Sequence, residues 1–259
     1  MTTFKSMQPT VPKRQVIKLG GSMLDELSES FFHRVKEMQA DGIQLLIVHG
    51  GGPNINQELA EREIASTVVN GFRVTSAEAI GIVQSILIGQ VNPALVHRFN
   101  QEGIQAVGLS GFDANLFTCD LLDFETYGYV GEIREVKTDI LDTLLDAGVI
   151  PVISCIGATA SGEALNVNAD TVASQIALAV NAESLLLVTD TPGIRIHDEP
   201  QAEVRPEAIR GWIKTEEIYG GMIPKVMAAI DCLEAGIPSV QIVGQQLNGT
   251  VITNEEAIV

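Results

Sequence analysis

Four short, nearly continuous apolar runs constrain this chain more than any other feature: VIKL before Gly20, LLIV before His49 and three glycines, VIPVISCIG, and LLLV before Thr189. They lack the polar alternation of a strand with one wet face, so each must be covered on both sides. Segments with helical spacing lie between them. In ESFFHRVKEMQADG, Phe31, Phe32, Val35 and Met38 recur on one face and Gly42 closes the turn, while NINQELAERE and ADTVASQIALAVNA read as helices in the same way. Strand, glycines and helix follow one another twice within about fifty residues. Buried strands alternating with helices imply an α/β fold, a three-layer α/β/α sandwich around an open, mainly parallel central sheet.

The remaining segments fit around that frame. From Ala77 to Gln101, Ile80, Val83, Leu87, Val91, Leu95 and Val96 keep helical register, and Pro93 is expected to kink or divide the helix. GIQAVGLSG returns to a strand, and LFTCDLLDFETYGYVGEIREV, with short apolar runs broken by acids and glycines, suggests a hairpin or two at one edge. DILDTLLDAG reads as a helix and EALNVN as a short strand. After Asp190 a polar excursion leads to the helix MIPKVMAAIDCLEAG, the strand SVQIVG and a final GTVI. Residues 1–14 carry two prolines and no periodicity, which reads as a loose arm. A lobe boundary near Cys155 to Ser161 divides the rest into residues 15–157 and 158–259, because edge hairpins precede it and a fresh strand-helix series follows.

Charge and cysteine usage narrow the functional classes. The formal charge of −17, from 33 acidic against 16 basic residues, argues against nucleic acid or an anionic membrane surface as partner. A few local cations and backbone amides can still hold a small anion against that field. Cys119, Cys155 and Cys232 form no CxxC pair and read as buried free thiols of a reducing compartment. With no leader-like start and no run of about twenty uninterrupted apolar residues, a cytoplasmic location without membrane contact is expected.

Two glycine clusters follow apolar strands. In KLGGSM, Lys18 stands at a strand's carboxyl end before Gly20 and Gly21, where amides can approach phosphoryl oxygens beside an ammonium group; an exposed lysine at an ordinary turn is the alternative. HGGGP, His49 to Pro53, is denser, and three successive glycines before a helix suit close approach of ligand to backbone. His49 itself reads as a structural strand-end residue. Neither cluster is a GxxxxGK[ST] loop or a GxGxxG fingerprint. In NGFRVT, Arg73 either grips a carboxylate with two parallel hydrogen bonds or pairs with a surface acid. NVNAD sets Asn166, Asn168 and Asp170 across a strand end and a helix start, where capping explains one of the three. In GGMIPKV, Lys225 sits just inside a helix, a disfavoured place for a cation unless an anion or carboxylate offsets it.

Taken in order, KLGGSM, HGGGP, NGFRVT, VNPALV, VGLSGFD, GYVGEI, NVNAD, LLLVTDTPGI and GGMIPKV resemble the amino acid kinase family from Val16 to Val243, and within it the members acting on N-acetyl-L-glutamate. The resemblance implies an N-terminal lobe for the acyl amino acid, through which two copies form a homodimer, and a C-terminal lobe for ATP. It implies that Lys18 and Lys225 stabilise the transferring phosphoryl group and that Asp170 organises both. Gly20 and Gly21, with Gly51 and Gly52, would give amides to phosphoryl oxygens or the γ-carboxylate. Arg73 would hold the α-carboxylate, Asn166 the acylated end, and Asp190 would lie among the nucleotide contacts. Mg²⁺ would be held mainly by the nucleotide phosphates, with no residue assigned as metal ligand.

The implied reaction makes an acyl phosphate on the γ-carboxylate, as in arginine biosynthesis. A carboxylate is already nucleophilic at neutral pH, so no general base is required and lysines, amides and alignment suffice. The alternatives are a kinase for a related acyl amino acid such as N-acetyl-aminoadipate, and a non-catalytic amino-acid sensor of the same fold. The sequence departs from the family in its short return from SVQIVG to GTVI, which leaves a face of the nucleotide lobe trimmed or covered by another element. It also lacks the long N-terminal helix of arginine-inhibited hexameric relatives.

Overall fold

The computed structural model describes residues 12–254. Residues 1–11 of the expected arm lie outside the described residues, and Arg14, the arm's last residue, already opens the first strand. β1 (Arg14–Leu19) leads through a 3₁₀ turn (Gly21–Glu26) to α1 (Glu29–Ala40). β2 (Gln44–His49) runs into α2 (Gly52–Glu61), and β3 (Val68–Val69) and β4 (Phe72–Arg73) make a small hairpin. α3 (Ala77–Ile86) and α4 (Asn92–Gln101) precede β5 (Ala106–Leu109). β6 (Phe117–Leu121), the single-turn α5 (Phe124–Tyr127) and β7 (Gly131–Val136) form the expected edge hairpin. Then come α6 (Asp139–Asp146), β8 (Ile150–Ser154), β9 (Ile156–Ala158) and β10 (Ala164–Asn166). The last part holds α7 (Ala169–Ala179), β11 (Ser184–Val188), the two-residue strands β12 (Arg195–Ile196), β13 (Glu199–Pro200) and β14 (Glu203–Val204), and α8 (Pro206–Lys214). α9 (Met222–Glu234), β15 (Ser239–Val243) and β16 (Gly249–Thr253) close it.

Eight strands form one sheet in the order β14-β16-β15-β11-β1-β2-β8-β5. The sheet is parallel from β15 to β5, and only the β15–β16 pairing is antiparallel. β8 and β11 are buried at every residue, as continuous apolar strands require when helices cover both faces. α7 packs on β1, β2 and β11, and α4 packs on β5 and β8. Under α1, Phe31, Phe32 and Phe99 meet edge to face with centroids 5.3 to 6.1 Å apart. Arg98 lies over the Phe32 ring and donates to the carbonyls of Leu24 and Leu27, which ties α4 to the turn after β1.

Pro93 neither breaks nor ends the long helix. A π turn over Leu87–Val91 widens the backbone immediately before it, which accommodates the ring and its missing N–H while α4 continues. By length and composition the run Ala77–Gln101 is apolar enough to cross a membrane, although Glu78, Gln84, Gln90 and Asn92 interrupt it. Here its Ala79, Val83, Ile86, Leu87, Leu95 and Phe99 are buried in the core.

A second sheet, β10-β9-β6-β7, sits beside the first. The boundary expected at 157/158 falls inside β9, and β10 pairs back onto β9, so backbone hydrogen bonding carries this sheet through to Asn166. The short return between β15 and β16 is a turn closed by the Gly244 amide on the Asn248 carbonyl. The polar excursion covers what it exposes: β14 pairs with the outer edge of β16, and the Thr250 hydroxyl accepts from the Ile194 amide (2.7 Å) and donates to the Gln201 carbonyl (2.6 Å).

Candidate active site

Parallel strands deliver their carboxyl ends to one edge of the sheet, where the following helices begin. Lys18 is the penultimate residue of β1 and is fixed by register between Leu187 of β11 and Val48 of β2. Its ammonium group lies 3.0 Å from the Asp170 carboxylate, with the lysine side chain only 17% exposed. Asp170 stands in the first turn of α7 because Asn168 caps that helix, its Oδ1 accepting from the amides of Asp170 (2.8 Å) and Thr171 (3.2 Å). Capping thus accounts for Asn168 and leaves the Asp170 carboxylate turned to the lysine.

Lys18, Gly20 and Asp170 line a cleft of about 250 Å³ together with Ser22, Met23, Thr189, Asp190, Pro224 and Lys225. Lys225 enters from the first turn of α9, whose Gly221 N-cap offers no side-chain cap. Its ammonium group pairs with Asp190, in the loop after β11, at 2.5 Å, and this partner holds the exposed Asp190 carboxyl below its ordinary range. The resemblance implies one aspartate between both lysines. In this structure the lysines have separate partners, because Lys225 reaches the loop beyond β11 rather than the start of α7.

The two glycine clusters are in contact. The Gly50 amide donates to the Leu19 carbonyl at 3.2 Å, and a Cβ added to Gly21 would lie 2.7 Å from the Gly52 amide nitrogen and 2.9 Å from Pro53. Only glycine at position 21 lets the β1 turn press against the start of α2, whose Gly51 N-cap again carries no side-chain cap. Amides at an uncapped helix start beside a lysine form an anion-binding arrangement.

A buried network holds this floor. His49 is fully buried; its Nδ1 lies 2.8 Å from the Gly50 carbonyl and its Nε2 lies 2.9 Å from Asn92 Nδ2. Asn92 also donates to the Val152 carbonyl at 2.9 Å, and Cys155 Sγ donates to the His49 carbonyl at 3.0 Å. Burial pushes the His49 pKa down to about 4, so the ring is neutral, with Nδ1–H donating and Nε2 accepting. Cys119, Cys155 and Cys232 are free and buried, and burial raises their thiols to about 12, 12 and 11.

Arg73, Gly51, Gly52 and Asn166 form a second group outside the lysine cleft. The Arg73 guanidinium donates to the Gly52 carbonyl at 3.5 Å and to Ser66 Oγ, and its partial burial lowers its pKa. No carboxylate pairs with Arg73 among the described residues, which leaves its fork directed by backbone and hydroxyl groups. Asn166 Nδ2 donates to Thr75 Oγ1 at 3.1 Å. Thr75 and Asn92, which lie inside the NGFRVT and VNPALV motifs, have no role assigned by sequence and are buried polar residues in the structure. A polar side chain within the apolar face of a long helix was the available signal for Asn92, whereas nothing local marks Thr75.

Comparison with known proteins places the chain in a family. The sequence profile described as the amino acid kinase family matches residues 13–244. The acetylglutamate kinase of Geobacillus kaustophilus (strain HTA426) is 45% identical over 231 residues, covering 89% of this chain and 90% of that protein. The crystal structure of smu.665 from Streptococcus mutans UA159 superposes with a TM-score of 0.83 at 33% identity, over 93% of this chain and 99% of that one. Carbamate kinase from Giardia lamblia bound to AMP-PNP shares the fold at 18% identity, with a TM-score of 0.64 over 94% of this chain and 99% of that one.

Proposed function

The chain belongs to the amino acid kinase family, and from that premise we propose that it transfers the terminal phosphoryl group of ATP to the γ-carboxylate of N-acetyl-L-glutamate. The product is N-acetyl-L-glutamyl 5-phosphate, an acyl phosphate on the route to arginine. The observation that carries the proposal is the meeting of Lys18, Asp170 and Lys225 around one cleft beside two touching glycine turns.

The roles follow from charge and position. The γ-carboxylate oxygen attacks phosphorus and the bond to the ADP oxygen breaks, so no proton has to be removed from the nucleophile. Negative charge then spreads over the equatorial phosphoryl oxygens. Lys18 and Lys225 both line the cleft and supply positive charge there, and Asp170 holds the Lys18 ammonium in place. Amides of Gly20, Gly21, Gly51 and Gly52 orient phosphoryl and carboxylate oxygens, Arg73 grips the α-carboxylate and Asn166 meets the acetylated end. Asp190 sets Lys225 at the nucleotide side.

Among the described residues no group of three or more His, Cys, Asp or Glu could hold a metal ion. The cleft offers the carboxylates of Asp170 and Asp190, each already paired with a lysine, which suits Mg²⁺ carried on the nucleotide phosphates rather than in a protein cage. When bound, the ion would neutralise negative charge on the nucleotide phosphates, alongside Lys18 and Lys225. Residues through Asn166 would form the acyl amino acid side and those from α7 onward the ATP side. The family resemblance further supports a cytoplasmic homodimer joined through the N-terminal part, checked by the mass of the protein in solution. The activity test is hydroxylamine trapping of acyl phosphate with MgATP and, separately, N-acetyl-L-glutamate, N-acetyl-L-aminoadipate, L-glutamate or L-aspartate. Turnover with the first alone is expected, and silence with it from folded protein overturns the proposal.

A further inference from the structure

Arg73 and Asn166 come from distant parts of the chain, yet one buried side chain joins them. Thr75 has no exposed surface. Its hydroxyl donates to the Arg73 carbonyl at 2.9 Å and accepts from Asn166 Nδ2 at 3.1 Å, across 91 positions of sequence. We propose that Thr75 is a positioning residue that sets the two groups holding opposite ends of the acyl amino acid. The inference rests on the function proposed above.

The hydroxyl has one proton, and it is committed to the Arg73 carbonyl. Its oxygen can then only accept from Asn166, which fixes the asparagine amide with nitrogen toward Thr75 and leaves Oδ1 as the atom able to accept a substrate N–H. The same bond pins the backbone of Arg73 at the end of β4, from which the guanidinium reaches the Gly52 carbonyl. Thr75 thus couples the carboxylate end, the glycine turn and the acylated end in one chain of contacts.

The backbone of Thr75 is clamped independently of its side chain. Its amide donates to the Tyr127 carbonyl (2.9 Å) and its carbonyl accepts from the Tyr129 amide (2.8 Å). Between those tyrosines Gly128 has φ +69°, and a Cβ there would sit 2.3 Å from the Thr75 carbonyl oxygen. Replacing the hydroxyl by a methyl of the same shape therefore leaves the backbone in place. It removes one acceptor and one donor where no water reaches, and Asn166 is freed to rotate.

The test compares Thr75→Val, Thr75→Ala and Thr75→Ser with the native protein by steady-state kinetics, with melting temperature as control. Val and Ala should each raise the KM for N-acetyl-L-glutamate about tenfold, the loss of roughly one oriented hydrogen bond, with kcat within about threefold and the KM for ATP unchanged. Ser keeps the hydroxyl and should restore the KM to within about threefold of native. A KM for N-acetyl-L-glutamate that is unchanged in Ala, or equally raised in Ser and Ala, overturns the inference, as does an equal rise in both substrates' KM. Use of both Val and Ala keeps the test independent of either variant's folding. Absence of turnover in the native protein would instead be a failure of the proposed function, and the two failures are thereby distinguished.

Discussion

The two lysine–aspartate pairs of the cleft are chemically alike and structurally opposite. Lys18 sits on a strand hydrogen-bonded on both sides, with its side chain 17% exposed, and Asp170 is aimed by a capped helix. Lys225 rises from an uncapped helix start to an aspartate whose side chain is 78% exposed in a loop. The first pair is fixed by the sheet before any substrate arrives. The second is set by a helix start and a loop, and an exposed pair is screened by water and salt. The difference separates a rigid floor, where charge placement is built into the core, from an adaptable rim.

Substitutions should rank accordingly. Lys18→Ala is expected to lower kcat about a thousandfold with little change in melting temperature, and Asp170→Ala nearly as much, since in the proposed roles each supplies fixed charge, or its placement, at the phosphoryl group. Near-native kcat in either would erase the distinction. Lys225→Ala should cost on the order of a hundredfold in kcat and also raise the KM for ATP, whereas Lys225→Arg should retain more activity than Lys18→Arg because the rim leaves room for a bulkier head. Equal losses in the two arginine variants would show that the floor is no more constrained than the rim. Arg73→Ala should raise the KM for N-acetyl-L-glutamate by tens of fold while leaving that for ATP unchanged. Asp190→Asn should raise the KM for ATP only a few fold, with the effect shrinking as salt is added.

One further effect, on stability rather than on turnover, lies under the floor. His49 is buried neutral, with its pKa lowered from 6.5 to about 4. In the unfolded chain the imidazole takes up a proton below about pH 6.5, while the folded protein resists until about pH 4. Stability from this group is complete above pH 6.5 and is lost as pH falls through that window, by roughly 3 kcal/mol at most. The slope of melting temperature against pH between 6.5 and 4 should be shallower in His49→Gln than in the native protein. Identical slopes would remove His49 as a source of acid sensitivity.

The sequence made the fold legible where burial left a local trace. Continuous apolar runs such as LLIV and LLLV required helices on both faces, and the sheet is parallel from β15 to β5. Lys18 and Lys225 were visible as cations in unusual places, one beside glycines at a strand end and the other at a helix start. Pro93 shows the limit, since its ring is expected to kink or divide the helix and the structure passes it with a π turn over Leu87–Val91 that no local pattern announces. The expected 157/158 boundary rests on edge hairpins giving way to a fresh strand-helix series, and the backbone bonds of β9 and β10, which no local pattern announces, run across it to Asn166.

The sequence by itself determined which residues must be buried and which turns lack side chains, and therefore the α/β class and the edge of the sheet where anions can be met. Partner choice among polar groups was decided only by the tertiary structure. Nothing near Lys225 in sequence selects Asp190 over Asp170, and nothing near Thr75 announces Asn166. Apolar burial follows periodicity along the chain, so it can be read locally. A hydrogen bond or an ion pair depends on atoms meeting within about 3 Å, which for these pairs depends on the relative placement of segments far apart in sequence.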